Sequence, residues 1–222
     1  MSTLYLVATP IGNLKDITLR ALETLKEVDL VLAEDTRRTR QLLSHYNISK
    51  PIESFHEHSE ESKIPTVLEK LNAGVEIALV SDAGTPTISD PGFKLVRECL
   101  KNNIKVEPIP GPSAILTSLI ASGLPTDSFL FLGYLPKKRG KQDSMLDFLE
   151  LVWSKRAVTV IFFESPYRIK KTLTDFARRF PQRELVVGRE LTKVHEEFIR
   201  GKVMEVASKE FPTKGEFTIL LH

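Results

Sequence analysis

Ser81-Asp82-Ala83-Gly84-Thr85-Pro86-Thr87-Ile88-Ser89-Asp90-Pro91-Gly92 decides the fold. The residues before it, Ile77-Ala78-Leu79-Val80, are all apolar. Such a run without alternation reads as a strand buried on both faces. After it, Phe93, Leu95, Val96, Cys99 and Leu100 recur at helical spacing. The stretch is therefore the long loop of a strand-loop-helix unit. In open α/β sheets, ligands bind just beyond the carboxyl ends of the strands. Gly84 and Gly92 let the backbone bend and approach a ligand closely. Asp82 offers a carboxylate to the hydroxyl or amino protons of a small molecule. The competing reading is a plain connection in which Asp90 and Pro91 start the helix. Connections in compact domains are usually roughly 4–6 residues. This one is longer and almost without bulky side chains, which favours a binding loop.

The bulk properties fit an ordinary soluble core. The chain has 222 residues, 41% hydrophobic and 27% charged, enough for one large domain or two small ones. A net charge of +2 neither demands nor excludes nucleic acid. Cys99 is the single cysteine, so no intramolecular disulfide forms, and its helical apolar face points to core packing. Met1-Ser2-Thr3 runs straight into a strand, with no basic or apolar leader. No apolar run approaches transmembrane length. A cytoplasmic location without a membrane partner is the expectation.

Outward from the central loop, the pattern repeats. Leu4–Ala8 reads as the first strand, followed by the loop Thr9-Pro10-Ile11-Gly12-Asn13-Leu14 and a helix capped by Asp16 or Thr18. The dinucleotide fingerprint G-x-G-x-x-G is absent, which argues against a standard nucleotide-binding Rossmann domain. Asp29–Ala33 is a second strand, ending in Glu34-Asp35-Thr36-Arg37-Arg38. That cluster reads either as a solvated helix cap or as acids at the mouth of the crevice that holds Asp82. His56-Glu57-His58 follows a short strand. Neighbours in an extended segment face opposite ways, so no metal site is expected there. Ile104–Ile109 is a further strand, and Pro110-Gly111-Pro112-Ser113-Ala114 opens an apolar helix whose first N–H groups are available to a ligand.

The pattern restarts near residues 112–125. Strand-like runs at 129–134, 157–163, 184–187, 197–201 and 217–221 alternate with helices near 141–153 and 166–179. Two late strands have little helix between them, so this half is mixed rather than parallel. Two tandem α/β domains are expected, 1–112 and 113–222. Leu135–Lys141 reads as a basic loop, with Lys137, Lys138, Arg139 and Lys141 as cations. It is either a solvated helix start or a contact to a phosphate backbone.

In order along the chain stand TPIGNL at 9–14, AEDTR at 33–37, SDAGTP at 81–86 and PGPSA at 110–114. GYLP follows at 133–136, FFESPYR at 162–168, RELTK at 189–193 and KGEFTI at 214–219. Together they closely resemble the tetrapyrrole-methylase superfamily of S-adenosylmethionine-dependent methyltransferases. Within it they are most similar to the branch that methylates the ribose 2′-OH of a cytidine in 16S ribosomal RNA. Ser81-Asp82-Ala83-Gly84 replaces the G-D-P of the tetrapyrrole enzymes and favours the ribosomal branch. The alternative is a methyltransferase for a corrin or porphyrin precursor. A non-catalytic RNA-binding module would have no use for the loops around Asp82 and Ser113. Family members often carry a small region beyond the last core strand, whereas this sequence stops at His222, as a naturally short member or a trimmed one; affinity for substrate is then affected only if that region helps grip RNA.

The resemblance implies a class III methyltransferase fold, two α/β domains with the methyl donor in the cleft between them. It also implies a homodimer, with 16S ribosomal RNA within the small subunit as substrate. The implied contacts to S-adenosylmethionine are Thr9, Pro10 and Ile11, then Asp82, Gly84 and Thr85, then Ser113 and Ala114, with Leu191 and Thr218 from the second domain. A ribose hydroxyl is a poor acid, so a group that helps remove its proton is useful. Asp35, Glu164 and Lys193 are the candidates at predicted strand ends. Arg37, Arg168 and Lys214, with Lys137, Lys138 and Arg139, are candidates to hold RNA phosphates. The competing reading of Glu164 and Arg168 is a cap on the helix behind them. No metal ligand is implied.

Overall fold

In the computed structural model, which describes residues 2–222, the strand before the decisive loop, β4 (Ile77–Val80), is buried along its whole length. It lies in a fully parallel sheet with β1 (Thr3–Val7), β2 (Leu30–Ala33), β3 (Ile52–Ser54) and β5 (Lys105–Ile109), in the order β3-β2-β4-β1-β5. Successive side chains of a strand point to opposite faces. Val7, Val31, Ala33, Ala78 and Val80 accordingly pack on one face against α1 (Leu19–Glu27) and α2 (Thr36–His45). Leu4, Leu30, Leu32, Ile77 and Leu79 pack on the other against α3 (Glu60–Asn72) and α4 (Phe93–Lys101). Helices on both faces explain why the central strands β2 and β4 carry no polar residues.

The chain forms two compact units, Met1–Ser113 and Ala114–His222. The second begins with α5 (Ala114–Ser122) and carries a mixed sheet of β6 (Phe129–Tyr134), β7 (Thr159–Glu164), β8 (Glu184–Arg189), β9 (Glu197–Lys202) and β10 (Phe217–Leu221). Its order is β6-β7-β10-β8-β9, with only β6 and β7 parallel. One face packs on α6 (Arg139–Lys155), α7 (Ile169–Arg179) and α8 (Val203–Ser208) through residues such as Phe162, Phe176 and Val206. The other carries Leu119 of α5 over Ile161, Val186 and Leu220. Burying one such large side chain contributes about 1.5–3 kcal/mol.

Three local readings change. The expected basic loop ends at Lys138, the N-cap of α6, so Arg139 and Lys141 stand in the first helical turn. The short α8 was not anticipated. His56-Glu57-His58 is not extended: a turn begins there and brings the two rings to 6.3 Å, edge to face. No helix among the described residues is long and apolar enough to cross a membrane.

Candidate functional site

The loops leaving β1, β4 and β5 are tied to one another at the carboxyl edge of the parallel sheet. Thr9 and Gly84 exchange two backbone bonds, Thr9 N–H to Gly84 O at 2.9 Å and Gly84 N–H to Thr9 O at 3.0 Å. The Thr9 hydroxyl donates to Ser81 O at 3.1 Å, and the Ser81 hydroxyl donates to Gly84 O at 3.2 Å. Thr85 Oγ1 donates to Pro112 O at 3.5 Å. Gly84 has φ +83°, and an added Cβ would lie 3.3 Å from Ile11. At Gly111 an added Cβ would stand 2.9 Å from Ala8 Cβ, so only glycine lets the β5 loop lie against the end of β1. Thr87 and Ser89 sit at φ 72° and 62°, a left-handed conformation costing on the order of 1–3 kcal/mol per residue. This strain is concentrated in the loop read from the sequence as the binding loop. Beside it lies a cavity of about 210 Å³ lined by Thr9, Pro10, Leu14, Arg38 and Asp82, among others.

β2 brings its acids to the same edge. Asp82 Oδ1 accepts the Asp35 N–H at 2.8 Å, and Arg38 stands 3.7 Å from its other oxygen. Asp35 caps α2 by accepting the Arg37 N–H at 2.8 Å and pairs with the Arg37 guanidinium at 2.9 Å. Those bonds from Arg37 pull the Asp35 carboxyl down to about 2. Glu34 is shifted the other way, by burial and then by repulsion from Asp82. Asp90 is pushed up to about 6, by burial first and then by Glu34, with a Ser81 hydrogen bond opposing and Asp82 adding. Glu34, Asp82 and Asp90 thus form one acidic mouth. Asp90 had read only as a helix start, because nothing in the chain order shows that the loop folds back over its own strand end.

Ser113 ends the first unit, and the remaining candidates, from Ala114 at the start of α5, lie in the second. Glu164 is fully buried and accepts four donors: Ser165 N–H at 2.7 Å and Arg168 Nε at 2.8 Å on one oxygen, Arg168 Nη2 at 2.9 Å and Thr172 Oγ1 at 2.6 Å on the other. Four donors fill a carboxylate's acceptor capacity, leaving neither oxygen for a substrate proton. Arg168 also donates to Leu135 O at 2.8 Å. Lys193 bonds Glu190 and Glu216, each at 3.0 Å. Burial draws its pKa down, but the two carboxylates outweigh that and hold it above the ordinary lysine value, as an ammonium. Leu191 and Thr218 are buried. Both border Gly188: Thr218 is its strand partner, and Leu191 would lie 3.2 Å from a Cβ added there. Arg139 is held by Asp143 and Asp175, whereas Lys137, Lys138 and Lys214 are exposed. The structure therefore gathers Thr9, Ile11, Asp35, Asp82, Gly84 and Thr85 in the first unit. In the second it joins Glu164 to Arg168, and leaves Lys193 in a separate pairing.

The sequence pattern of the tetrapyrrole (corrin/porphyrin) methylases matches residues 3–207. The chain belongs to the tetrapyrrole methylase family. It is 49% identical over 221 residues to ribosomal RNA small subunit methyltransferase I of Halalkalibacterium halodurans, covering 99% of this chain and 75% of that one. It is 47% identical to the protein of the same name from Thermotoga maritima, covering 100% of this chain and 98% of the other. Among solved structures, diphthine synthase superposes with a TM-score of 0.76 at 14% identity, over 99% of this chain and 90% of that one, a likeness of fold.

Tetrapyrrole methylases take their methyl group from S-adenosylmethionine. The first unit fits that molecule. Its acidic mouth complements a donor positively charged at sulfur and at its amino group. The glycines at 84 and 111 let the loops after β1, β4 and β5 lie against one another at the strand ends.

Proposed function

We propose that this protein methylates the ribose 2′-hydroxyl of a cytidine in 16S ribosomal RNA, acting in the cytoplasm on the small ribosomal subunit as a homodimer. The observation that carries the reading is the likeness, at 47–49% identity over essentially the whole chain, to relatives named for ribosomal RNA small subunit methylation. When bound, S-adenosylmethionine supplies an electrophilic methyl group on a positively charged sulfur. Thr9, Pro10 and Ile11, with Gly84, Thr85, Ser113 and Ala114, hold it largely through backbone groups, and Asp82 takes its hydroxyl or amino protons. Leu191 and Thr218 are proposed apolar and hydroxyl contacts to the donor.

The acceptor hydroxyl must be aligned and relieved of its proton. Asp35, anchored to Arg37 with a depressed pKa, is a weak base, and it serves by fixing Asp82 through its backbone N–H. Lys193 is a cation, suited to stabilising the negative charge that develops on the ribose oxygen. Glu164 acts through Arg168 on the surrounding loops. Arg37 and Lys214 hold flanking phosphates.

The test is tritium transfer from labelled S-adenosylmethionine, with small subunits, free 16S RNA and a corrin precursor offered in parallel. Label in the RNA, at a linkage that resists alkali because its 2′-OH is blocked, is the expected result. Label in the corrin alone would overturn it. Asp82→Asn is expected to weaken donor binding at least tenfold by isothermal titration, and Lys193→Ala to slow single-turnover transfer. If Lys193→Ala keeps a near-parental rate, its assignment fails. Light scattering of the purified protein tests the dimer.

A further inference from the structure

Two loops of the second unit leave neighbouring parallel strands, β6 and β7, and are fastened to each other by one buried carboxylate. Glu164, the last residue of β7, holds the Arg168 guanidinium with both oxygens, and Arg168 holds Leu135 O in the loop after β6. The turn between them is closed by Tyr167 N–H to Ser165 Oγ at 3.3 Å and Arg168 N–H to Ser165 O at 3.0 Å. A fully satisfied buried network of this kind rigidifies what it joins. Yet the side chain it presents, Tyr167, is 96% exposed. Tyr134, on the strand leading into the partner loop, is 58% exposed and lies edge to face with Phe163, ring centroids 5.8 Å apart. Lys137 and Lys138 follow in the same loop. They are exposed and have no carboxylate partner among the described residues, whereas the adjacent Arg139 is held by Asp143 and Asp175.

A rigidly mounted tyrosine left in water contributes little to the fold, but it offers a large flat face that loses little freedom on binding. Exposed rings beside unpaired lysines are the chemistry of single-stranded nucleic acid recognition, in which bases stack on aromatics and cations track the phosphates. We propose that the pinned loops 135–138 and 165–168 form a platform for single-stranded RNA, with a base stacked on Tyr167 and phosphates on Lys137 and Lys138. Arg168, grouped by sequence with the phosphate ligands, and Glu164 are its positioning residues. This deepens the RNA reading given above and rests on it.

The test is fluorescence anisotropy of the 222-residue chain with a labelled single-stranded oligocytidylate, over a range of salt. Tyr167→Ala is expected to weaken binding about tenfold without changing the slope of log affinity against log salt. Tyr167→Phe keeps the parental affinity. Lys137→Ala with Lys138→Ala lowers that slope by about 1.4, for two lost phosphate contacts on a single strand. An exposed ring can be removed without unfolding the chain, and unchanged S-adenosylmethionine affinity in Tyr167→Ala verifies that. Binding by Tyr167→Ala within twofold of the parent, or no parental binding to the oligonucleotide, overturns the platform. The RNA reading itself stands or falls separately, on label transfer to small subunits.

Discussion

At the scale of single residues, the acidic mouth turns on one hydroxyl proton. Ser81 Oγ lies 3.2 Å from Gly84 O and also hydrogen-bonds the Asp90 carboxyl. A serine has one proton to donate. With Asp90 protonated, its own O–H donates to Ser81, whose proton then serves Gly84. With Asp90 ionised, the carboxylate competes for that proton. Glu34 and Asp82 face Asp90 and oppose its ionisation, while Arg38 and His56 act on Glu34 in the other sense. Burial with this repulsion raises Asp90 to about 6 in the folded protein, against about 3.9 when unfolded. For an acid raised on folding, the associated stability is present below about pH 4 and is lost as pH climbs through 6. Asp90→Asn should therefore differ little from the parent at pH 4. Above pH 7 it should be more stable, by about 1 kcal/mol once solvent screening of this partly exposed group is allowed for. Urea midpoints across that range check it, and a gap that does not grow with pH would refute it.

At the scale of elements, α4 depends on a helix elsewhere in the chain for its cap. Gly92 is its N-cap and has no side chain to offer. Glu60, buried at the start of α3, accepts the N–H groups of Gly92 at 3.0 Å and Lys94 at 3.2 Å. A carboxylate there satisfies two orphan donors and complements the positive end of the helix. Gly92 cannot be replaced by a residue with its own cap: its φ is +123°, and a Cβ would come within 2.4 Å of Leu79 Cδ2. Glu60→Ala should cost about 1–3 kcal/mol in urea unfolding, because a buried and a half-buried N–H lose their acceptor. Glu60→Gln, which keeps an oxygen, should cost less, and equal losses would assign the effect to packing. The elements themselves were legible where apolar spacing ran long enough: β4 from its unbroken run, α4 from Leu95 and Cys99. The short α8 buries only Val203 and Val206, too few positions to show a period. The start of α6 was obscured by Gly140 and a run of cations, which read as loop. Glu60 was invisible as a cap because its partners lie more than thirty residues away.

At the scale of the molecule, each unit carries its own hydrophobic core and its own cluster of motifs. That the loops carrying Thr9, Asp82 and Gly84 meet could be read from the chain, because the loops after parallel strands share one edge of the sheet. The joining of Glu164 to Arg168 also has a local signal, the i,i+4 spacing across a helix start. What spacing cannot show is that Arg168 reaches the loop of another strand and thereby holds Tyr167 in place. If Asp82 serves the methyl donor and the pinned loops around Tyr167 serve RNA, the two kinds of binding should be separable by substitution. Asp82→Asn should lose affinity for S-adenosylmethionine and keep affinity for oligocytidylate, and Tyr167→Ala should do the reverse. In single-turnover transfer at subsaturating concentrations of both ligands, the two losses should multiply in the double variant, as expected of substitutions that share no partner. A double variant no slower than the worse single one would mean that both residues serve one step, and the separate roles of Asp82 and Tyr167 would have to be abandoned.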